Sequence, residues 1–310
     1  DSGYRSRIDK ATEVSTPGYY AVTLTDYNIK AEITATTRTG FHRYTFPQSA
    51  TSRILFDIGH KQGESATITD AEVTYHPETN EVTGWVENYP IYATFCQPDG
   101  KIKIYFAAKL DKQPQTIGTF INEKVQENSN TVKGPGCGLY LTFPTKAHEQ
   151  VQMQVGLSYT SIENARNNRD TEIANKSFND VKNAARQTWN ELLGRIQVEG
   201  GTPEDKTKFY TGLYHALLGR GIANDINGQY IRHDKTIGQI PLDKNGIPLY
   251  SHHNTDGMWG GFWNLTQIWT LAYPEIFSSY IKSNLDFFKN SGWLHDGEAA
   301  GVYTNGVQTN

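Results

Sequence analysis

Sulfur-containing residues are scarce in this sequence. Only two of its 310 residues are cysteine and two are methionine. A structural zinc site needs several Cys or His ligands at close spacing, and neither Cys96 nor Cys137 has such neighbours. The two cysteines are therefore expected to be either two buried free thiols or one disulfide.

Positive charge is not in excess either. Lys and Arg total 29 against 33 Asp and Glu, which gives a formal net charge of −4 at pH 7. Proteins that bind nucleic acids or anionic membrane surfaces present a basic field, so neither partner is expected. No apolar run approaches the ~20 residues that span a bilayer, and no transmembrane segment is expected.

Several catalytic motifs do not occur. The chain has no His-Glu-x-x-His, no Gly-x-Ser-x-Gly and no phosphate-binding loop with a lysine, so protease, esterase and nucleotidase activities lack support. It opens on the polar residues Asp1, Ser2 and Gly3, so no signal peptide is expected within it. A mature start and a cut fragment would both produce such an opening.

Apolar and aromatic residues, by contrast, are plentiful. Hydrophobic residues make up 37% of the chain, and it contains 18 Tyr, 13 Phe and 6 Trp. A disordered chain cannot carry so many aromatic residues, so a packed core is expected. At ~150 residues per domain, the length indicates about two domains.

The first half of the chain has the two-residue period of β-strands. Residues 29–37 alternate between Ile or Ala and charged or Thr side chains, and similar segments recur from residue 18 to about 160. Turn residues such as those at 77–80 and 97–100 separate them. Because no helical pattern intervenes, an antiparallel β-sandwich is predicted.

Near residue 165 the period changes to that of helices. Ser177 and Asp180 predict a capping box, and Thr202 followed by Pro203 predicts a second helix start. A third helix is predicted over residues 259–273, buried nearly all round, and a fourth over 276–290. The fourth is expected to turn these side chains inward: Phe277, Tyr280, Ile281, Leu285 and Phe288. The predicted organisation is a sandwich domain over 1–165, a linker helix over 166–200 and helices of an all-α domain over 201–310.

Polar, aromatic and glycine residues are concentrated in a loop over residues 250–263. Trp259 offers a flat face for a sugar ring, and His252, His253 and Asp256 offer groups that bind hydroxyls. Such a loop is typical of a pocket wall, but a well-packed loop with satisfied polar groups would have the same composition. A metal site is disfavoured because adjacent histidines point apart and no distant third ligand is evident.

Two groups of segments carry a family resemblance. Residues 189–206, which read WNELLGRIQVEGGTPEDK, and their continuation through 218 are similar to a segment of the glycoside hydrolase family 92 α-mannosidases. Residues 17–22, 31–36 and 42–47 resemble earlier segments of the same family, so the resemblance covers nearly the whole chain in order.

This resemblance implies a β-sandwich (a supersandwich) followed by the start of an (α/α)6 toroid. It implies exo-hydrolysis of α-mannosides with inversion and with calcium, in an enzyme that is secreted, periplasmic or on the bacterial cell surface. The N-terminal part of the family's sandwich and the motifs that carry its acid, its base and its calcium site do not occur in these residues. No catalytic or metal-binding residue is therefore carried over, and the rest of the polypeptide is expected to complete the active site.

One aligned motif differs from the family pattern. The sugar-holding Trp-Asp-Thr-Phe-Arg of the family aligns to residues 259–263, where Gly260 replaces Asp and Trp263 replaces Arg. A later His-Ala-Asp aligns to residues 308–310. The prediction is a glycosidase with an altered sugar site; the alternatives are a non-catalytic glycan-binding relative and a purely structural module. The candidate substrate-binding residues are His252, His253, Asp256, Trp259, Gly260, Trp263, Gln308 and Asn310.

Overall fold

The structure is a computed structural model, and it describes residues 3–60, 66–91, 93–218, 221–254, 258–261 and 263–304. Its contacts divide the chain into two compact units. The first, called the sandwich unit, comprises Asp1–Gly63, Ile68–Glu87 and Ile104–Gln187. The second, called the helical unit, comprises Glu64–Thr67, Asn88–Lys103 and Thr188–Asn310.

Thirteen of the described strands come before the long helices. They are β1 (Ile8–Thr16), β2 (Tyr19–Leu24), β3 (Ile29–Ala35), β4 (Thr39–Phe46), β5 (Ser49–Phe56), β6 (Ala66–His76), β7 (Glu81–Pro90), β8 (Ile102–Leu110), β9 (Thr116–Ile121), β10 (Lys124–Glu127), β11 (Thr131–Lys133), β12 (Cys137–Thr145) and β13 (Glu149–Ser158). A short helix, α1 (Ala93–Cys96), lies between β7 and β8.

Helices dominate the rest of the chain, with two small hairpins among them. The elements are α2 (Ile162–Ile173), α3 (Phe178–Leu193), α4 (Pro203–Leu218), β14 (Gln229–Ile231), β15 (Ile237–Gln239), α5 (Met258–Gly261), α6 (Leu265–Ala272), α7 (Pro274–Ser291), β16 (Gly297–Ala299) and β17 (Val302–Thr304).

The strands form two sheets of unequal size. The larger has nine strands in the order β1-β2-β3-β4-β13-β8-β7-β6-β11, and the smaller has four in the order β10-β9-β12-β5. The paired strands whose register is resolved run antiparallel, as Val151 opposite Tyr44 illustrates. The core of the sandwich unit includes Val73, Val82, Leu139, Leu141 and Phe143, all with less than 2% of their surface exposed. The predicted antiparallel sandwich followed by helices is confirmed.

Strand β3 shows the predicted alternation, and its polar face is the more deeply buried one. Glu32 and Thr34 are buried while Ile33 is exposed. This inversion arises because Glu32 accepts two hydrogen bonds of 2.9 Å from Arg43 and one of 2.8 Å from the Tyr19 hydroxyl. Burial alone would raise the pKa of Glu32, but these hydrogen bonds outweigh it and bring the pKa to about 2.

Helix α2 packs against strand β13 at a glycine. A Cβ built on Gly156 would lie 2.0 Å from the carbonyl oxygen of Ala165, so only glycine allows this approach. The helix also carries Arg169, whose guanidinium donates to Glu81 at 2.5 Å with both side chains nearly fully buried. Hydrogen bonds from Arg169 and Arg166 outweigh burial and lower the pKa of Glu81. Residues 166–200, the predicted linker helix, thus comprise most of α2 and all of α3.

The predicted caps are present. The Asp205 amide donates to Thr202 Oγ1 at 3.2 Å, and the Thr202 amide donates back to Asp205 at 3.0 Å. Ser177 and Asp180 form the same reciprocal pair at the start of α3. Gly292 ends α7 with φ of 79°, a left-handed conformation that favours glycine.

Two predictions for the last helices are wrong. The segment over 259–273 is not one helix buried nearly all round: α5 ends at Gly261, α6 begins at Leu265, and Leu271 is 85% exposed. On α7, the expected inward residues Ile281, Leu285 and Phe288 are exposed. Tyr280 is buried as predicted, and the buried face of α7 also carries Ser283 and Phe287, because this face holds the polar loop that precedes α5.

Both cysteines are free thiols, Cys137 buried and Cys96 partly so. Burial raises the pKa of the Cys137 thiol to about 11, so it is protonated at neutral pH. No described helix is both long and apolar enough to cross a membrane.

Candidate functional site

The predicted site residues fall into three groups. His252 and His253 are both buried in the helical unit. Gly260 is exposed, with open space where a side chain would stand, and Trp263 is 74% exposed. Asp256, Gln308, Asn310 and the side chain of Trp259 lie outside the described parts of the chain, although Trp259 belongs to α5.

Neighbours within the helical unit contact both the ring and the backbone of His252. Its ring stacks on Tyr230 at 3.9 Å between centroids, and Phe287 meets it edge-on at 4.7 Å. The His252 amide donates to Asn224 Oδ1 at 2.8 Å. Burial, with a smaller contribution from the charge of His253, lowers the pKa of His252 to about 3. The ring is therefore neutral at physiological pH.

His253 is fixed by two serines of α7. Its amide donates to Ser283 Oγ at 2.9 Å, and its Nε2 lies 3.2 Å from Ser279 Oγ. Ser279 also accepts a hydrogen bond from the Ser251 amide at 2.8 Å. Because Ser279 and Ser283 are four residues apart, they share one face of α7 and hold three successive loop residues.

The hydroxyl of Tyr250 contacts a third polar residue of α7. It donates to Asp286 Oδ2 at 2.7 Å, and Asp286 lies three residues beyond Ser283 on α7. Burial and this hydrogen bond raise the pKa of Tyr250. Sequence reasoning did not identify the polar stripe that Ser279, Ser283 and Asp286 form on α7. Its signal in the sequence is that these polar residues recur at helical spacing within an apolar helix.

A second buried polar group lies at the hairpin of β16 and β17. Glu298 is buried, and this desolvation raises its pKa well above the usual range, although Lys235 opposes the shift. Lys235 Nζ donates to the carbonyl oxygens of Lys101 and Gly301, each at 3.1 Å. The Ala300 amide donates to Asn254 Oδ1 at 3.1 Å, which joins this hairpin to the loop that carries the two histidines.

The described site is thus a buried polar network rather than an open cleft of titratable groups. His252 and His253 act as packed parts of the loop, while Gly260 and Trp263 lie beyond it at an exposed surface. Of the described side chains, no three from His, Cys, Asp and Glu are grouped closely enough to hold a metal ion. The network can position the segment that leads to α5, and whether that segment contacts a sugar stays a prediction.

Comparison with known proteins identifies the class to which this fold belongs. The chain is similar to the structure of the family GH92 α-mannosidase BT3965 from Bacteroides thetaiotaomicron, with a TM-score of 0.87 and 25% identity over 99% of this chain and 40% of that one. It shares its fold with the inverting mannosidase BT2199 from Bacteroides thetaiotaomicron, with a TM-score of 0.81 and 22% identity over 98% and 38% of the two chains. The chain therefore spans about two fifths of the length of these structures.

The sequence matches the same family over both of its parts. Residues 1–158 match the Glycosyl hydrolase family 92 N-terminal domain, and residues 164–310 match the Glycosyl hydrolase family 92 catalytic domain. No curated protein sequence matches the chain. The chain belongs to glycosyl hydrolase family 92.

Proposed function

We propose that this chain is part of a glycosidase that removes terminal sugars from α-mannosides, or from a related glycan, with inversion. The observation that carries the proposal is the match of both family 92 domains across nearly the whole chain. Inversion requires two carboxyl groups ~6.5–9.5 Å apart, one as acid and one as base. The family motifs for both are absent from these residues, so the rest of the polypeptide supplies them.

Assistance by calcium is part of the same proposal, with its ligands elsewhere in the polypeptide. Calcium takes about six to eight oxygen ligands, several of them carboxylates. The described residues do not fit such a site, because Glu298 is buried beside Lys235 and the carboxylate of Asp286 accepts from Tyr250.

An altered sugar site is supported by the residues that stand in place of the family motif. Gly260 leaves open space where the family has a carboxylate, and Trp263 presents an exposed ring where the family has a guanidinium. Loss of both charged groups removes strong hydrogen bonds to sugar hydroxyls, while the indole adds an apolar face. The same replacements support the alternative of a non-catalytic glycan-binding relative.

Completion by the remaining polypeptide is supported by the second apolar face of α7. Ile281, Leu285 and Phe288 follow one another at helical spacing and are all exposed. A helix with two apolar faces is typical of a helical layer that is covered on both sides. We infer that further helices of an (α/α)6 toroid cover this face. We also infer, from the family alone, that the enzyme is secreted, periplasmic or on the cell surface.

The proposal is tested with the complete encoded polypeptide and aryl α-mannosides. Turnover that releases the sugar as its β-anomer first, measured by proton NMR, is the expected result, and chelation of divalent cations should abolish it. The 310-residue chain alone should show no turnover, because it lacks both carboxyl motifs. Absence of turnover on every α-linked aryl glycoside, with glycan binding retained, would favour the non-catalytic alternative.

The altered site is tested by restoring the family residues in the complete polypeptide. Gly260→Asp combined with Trp263→Arg should increase the preference for mannoside over other sugars at least about tenfold, which corresponds to ~1.4 kcal/mol. Leu271→Arg, at an exposed position on α6, is the control for an added surface charge. A sugar preference that is the same in the double variant and in the control would contradict an altered site.

A further inference from the structure

Two turns of the helical unit share one sequence pattern, Asp-x-Asn-Gly. The first, called the buried turn, spans residues 225–229, and the second, called the exposed turn, spans residues 243–247. In each, the glycine amide donates to the carbonyl oxygen of the aspartate, at 2.8 Å in the buried turn and 3.0 Å in the exposed turn. Gly228 and Gly246 are both left-handed, with φ of 84° and 78°. The two turns are therefore equivalent in sequence pattern and in backbone geometry.

An Asn-Gly pair is also a place where asparagine can lose its side-chain amide. The glycine nitrogen attacks the asparagine Cγ and forms a new C–N bond, and the side-chain nitrogen leaves as ammonia with the proton of the glycine amide. Water then opens the resulting five-membered succinimide at either carbonyl, which gives aspartate or isoaspartate. Glycine favours the attack because it has no Cβ to obstruct the necessary backbone rotation. Water is the only co-reactant, so the freedom of the backbone decides where the reaction occurs.

The buried turn is restrained against this attack. Asp225 and Gly228 are buried, and a Cβ built on Gly228 would lie 2.8 Å from the side chain of Gln239. The Gln229 amide donates to Asn227 Oδ1 at 3.1 Å, and the Gln239 side chain donates to the Asn227 carbonyl oxygen at 2.9 Å. A rotation that brings the Gly228 nitrogen to the Asn227 Cγ would have to break these contacts together.

The exposed turn lies at the surface. Asn245 and Gly246 are exposed, and no described atom beyond the chain neighbours lies within 4 Å of a Cβ built on Gly246. The carboxylate of Asp243 accepts from the amides of Asn245 at 2.8 Å and Ile247 at 2.9 Å. Hydrogen bonds from the amides of Ile247 and Asn245 lower the pKa of Asp243, and the Asn245 side chain adds to this shift. Because these groups lie at the surface, water can replace their hydrogen bonds when the turn opens.

We propose that Asn245 is a modification site, where asparagine converts to aspartate and isoaspartate without an enzyme, and that Asn227 is protected from the same reaction. Isoaspartate adds one carbon atom to the main chain inside the exposed turn, so the hydrogen bonds of the turn lose their register. Both products place a second negative charge beside Asp243, and like charges repel. The exposed turn therefore opens after modification, while the buried turn keeps its structure. The proposal does not depend on glycosidase activity.

Peptide mapping of the complete encoded polypeptide by mass spectrometry tests this proposal. At mildly alkaline pH, the peptide with Asn245 should gain about 1 Da, because NH2 is replaced by OH. The gain should be at least about tenfold faster than at Asn227, where the reaction has to wait for local opening of a packed turn. Equal rates at the two asparagines, or a faster reaction at Asn227, would overturn the proposal. The mapping also separates both from Asn305, whose Asn-Gly pair lies outside the described parts of the chain.

A variant and a chemical assay identify the route. Asn245→Gln keeps a side-chain amide but needs a less favourable six-membered ring, so the gain at this peptide should be lost, while the slow rate at Asn227 in the same chain serves as the internal control. A gain that persists in Asn245→Gln would contradict the assignment.

Isoaspartate at position 245, detected by enzymatic methylation of its carboxylate, should accompany the gain in mass. Aspartate without isoaspartate would indicate direct hydrolysis and would overturn the attack by Gly246. None of these measurements requires turnover of a glycoside, so their failure is distinguishable from a failure of the proposed function.

Discussion

The sandwich unit and the helical unit differ in how completely they bury their apolar residues. The sandwich unit has a continuous core between its sheets, which includes Val73, Leu139 and Phe143. The helical unit has a smaller cluster around Trp269 and Tyr273 and leaves many large apolar side chains exposed. Those that are at least half exposed are Ile91, Ile247, Leu249, Trp263, Leu271, Leu285, Phe288 and Trp293.

This contrast shows which unit gains more stability from burying apolar surface. Burial of apolar surface is the main favourable term in folding, so a unit that leaves its apolar faces in water gains less from it. On one face of α7 the helical unit exposes Ile281, Leu285 and Phe288, whereas the core residues of the sandwich unit lie between its two sheets. The sandwich unit is therefore expected to gain more of its stability from apolar burial than the helical unit does.

The largest expected effect is on the buried ion pair of the sandwich unit. Arg169→Met leaves Glu81 buried with Arg166 as its remaining partner, so we expect a loss at the lower end of the ~3–5 kcal/mol that an uncompensated buried charge costs. Urea unfolding followed by circular dichroism measures this loss. Glu163→Gln is the control, since Glu163 is exposed and its pair with Arg166 contributes little. Equal stability of the two variants would mean that the Arg169–Glu81 pair does not stabilise the fold.

The next effect concerns the close contact of α2 with β13. Gly156→Ala places a methyl group 2.0 Å from the Ala165 carbonyl oxygen, so the helix must move away from the sheet. Overpacking of this kind costs ~1–3 kcal/mol, and the upper end is expected because the obstacle is backbone. The midpoint of urea unfolding should fall accordingly. An unchanged midpoint would mean that α2 can shift without loss of its contacts.

A pH-dependent effect is expected in the helical unit. His252 has a pKa lowered to about 3 by burial, so the unfolded state takes up a proton below about pH 6.5 while the folded state does not. The contribution of this ring to the free energy of unfolding is fully present above pH 6.5 and decreases as the pH falls toward 3. About 2 kcal/mol of this free energy is lost by pH 5.

His252→Phe removes this titration and keeps an aromatic ring against Tyr230. Its melting temperature should therefore vary less between pH 7 and pH 5 than that of the unmodified chain. Glu32→Gln in the sandwich unit is the matched comparison, because Glu32 titrates only below about pH 4.5 and should not change this range. An identical pH profile for His252→Phe and the unmodified chain would exclude His252 as the cause.

The smallest expected effect is a gain in the helical unit. Gly212 lies inside α4, and nothing lies within 4 Å of a Cβ built on it. Gly212→Ala should therefore stabilise the helix by about 0.5–1 kcal/mol, because alanine loses less backbone freedom on folding. A rise in melting temperature checks it. Gly156→Ala and Gly212→Ala are thus expected to change stability in opposite directions, although the chemical change is the same. A loss of stability at both positions would contradict the open environment of Gly212.

Local sequence signals predicted local structure well. The alternation over residues 29–37 predicted β3. The capping box of Ser177 and Asp180 and the sequence Thr202–Pro203 predicted helix starts that the structure confirms. These signals succeed because caps and alternation depend on neighbours within a few residues. The sequence motifs also led to the family, because those segments lie in the same order along the chain.

Only the tertiary structure decided which faces of these elements are buried. In β3 the polar face is the more deeply buried one because Arg43, on the neighbouring strand β4, pairs with Glu32. On α7, Ser279 and Ser283 lie inward because they hold the loop of His252 and His253, while an apolar stripe of the same helix is exposed. A residue pattern gives the period of an element, but its partners come from remote parts of the chain.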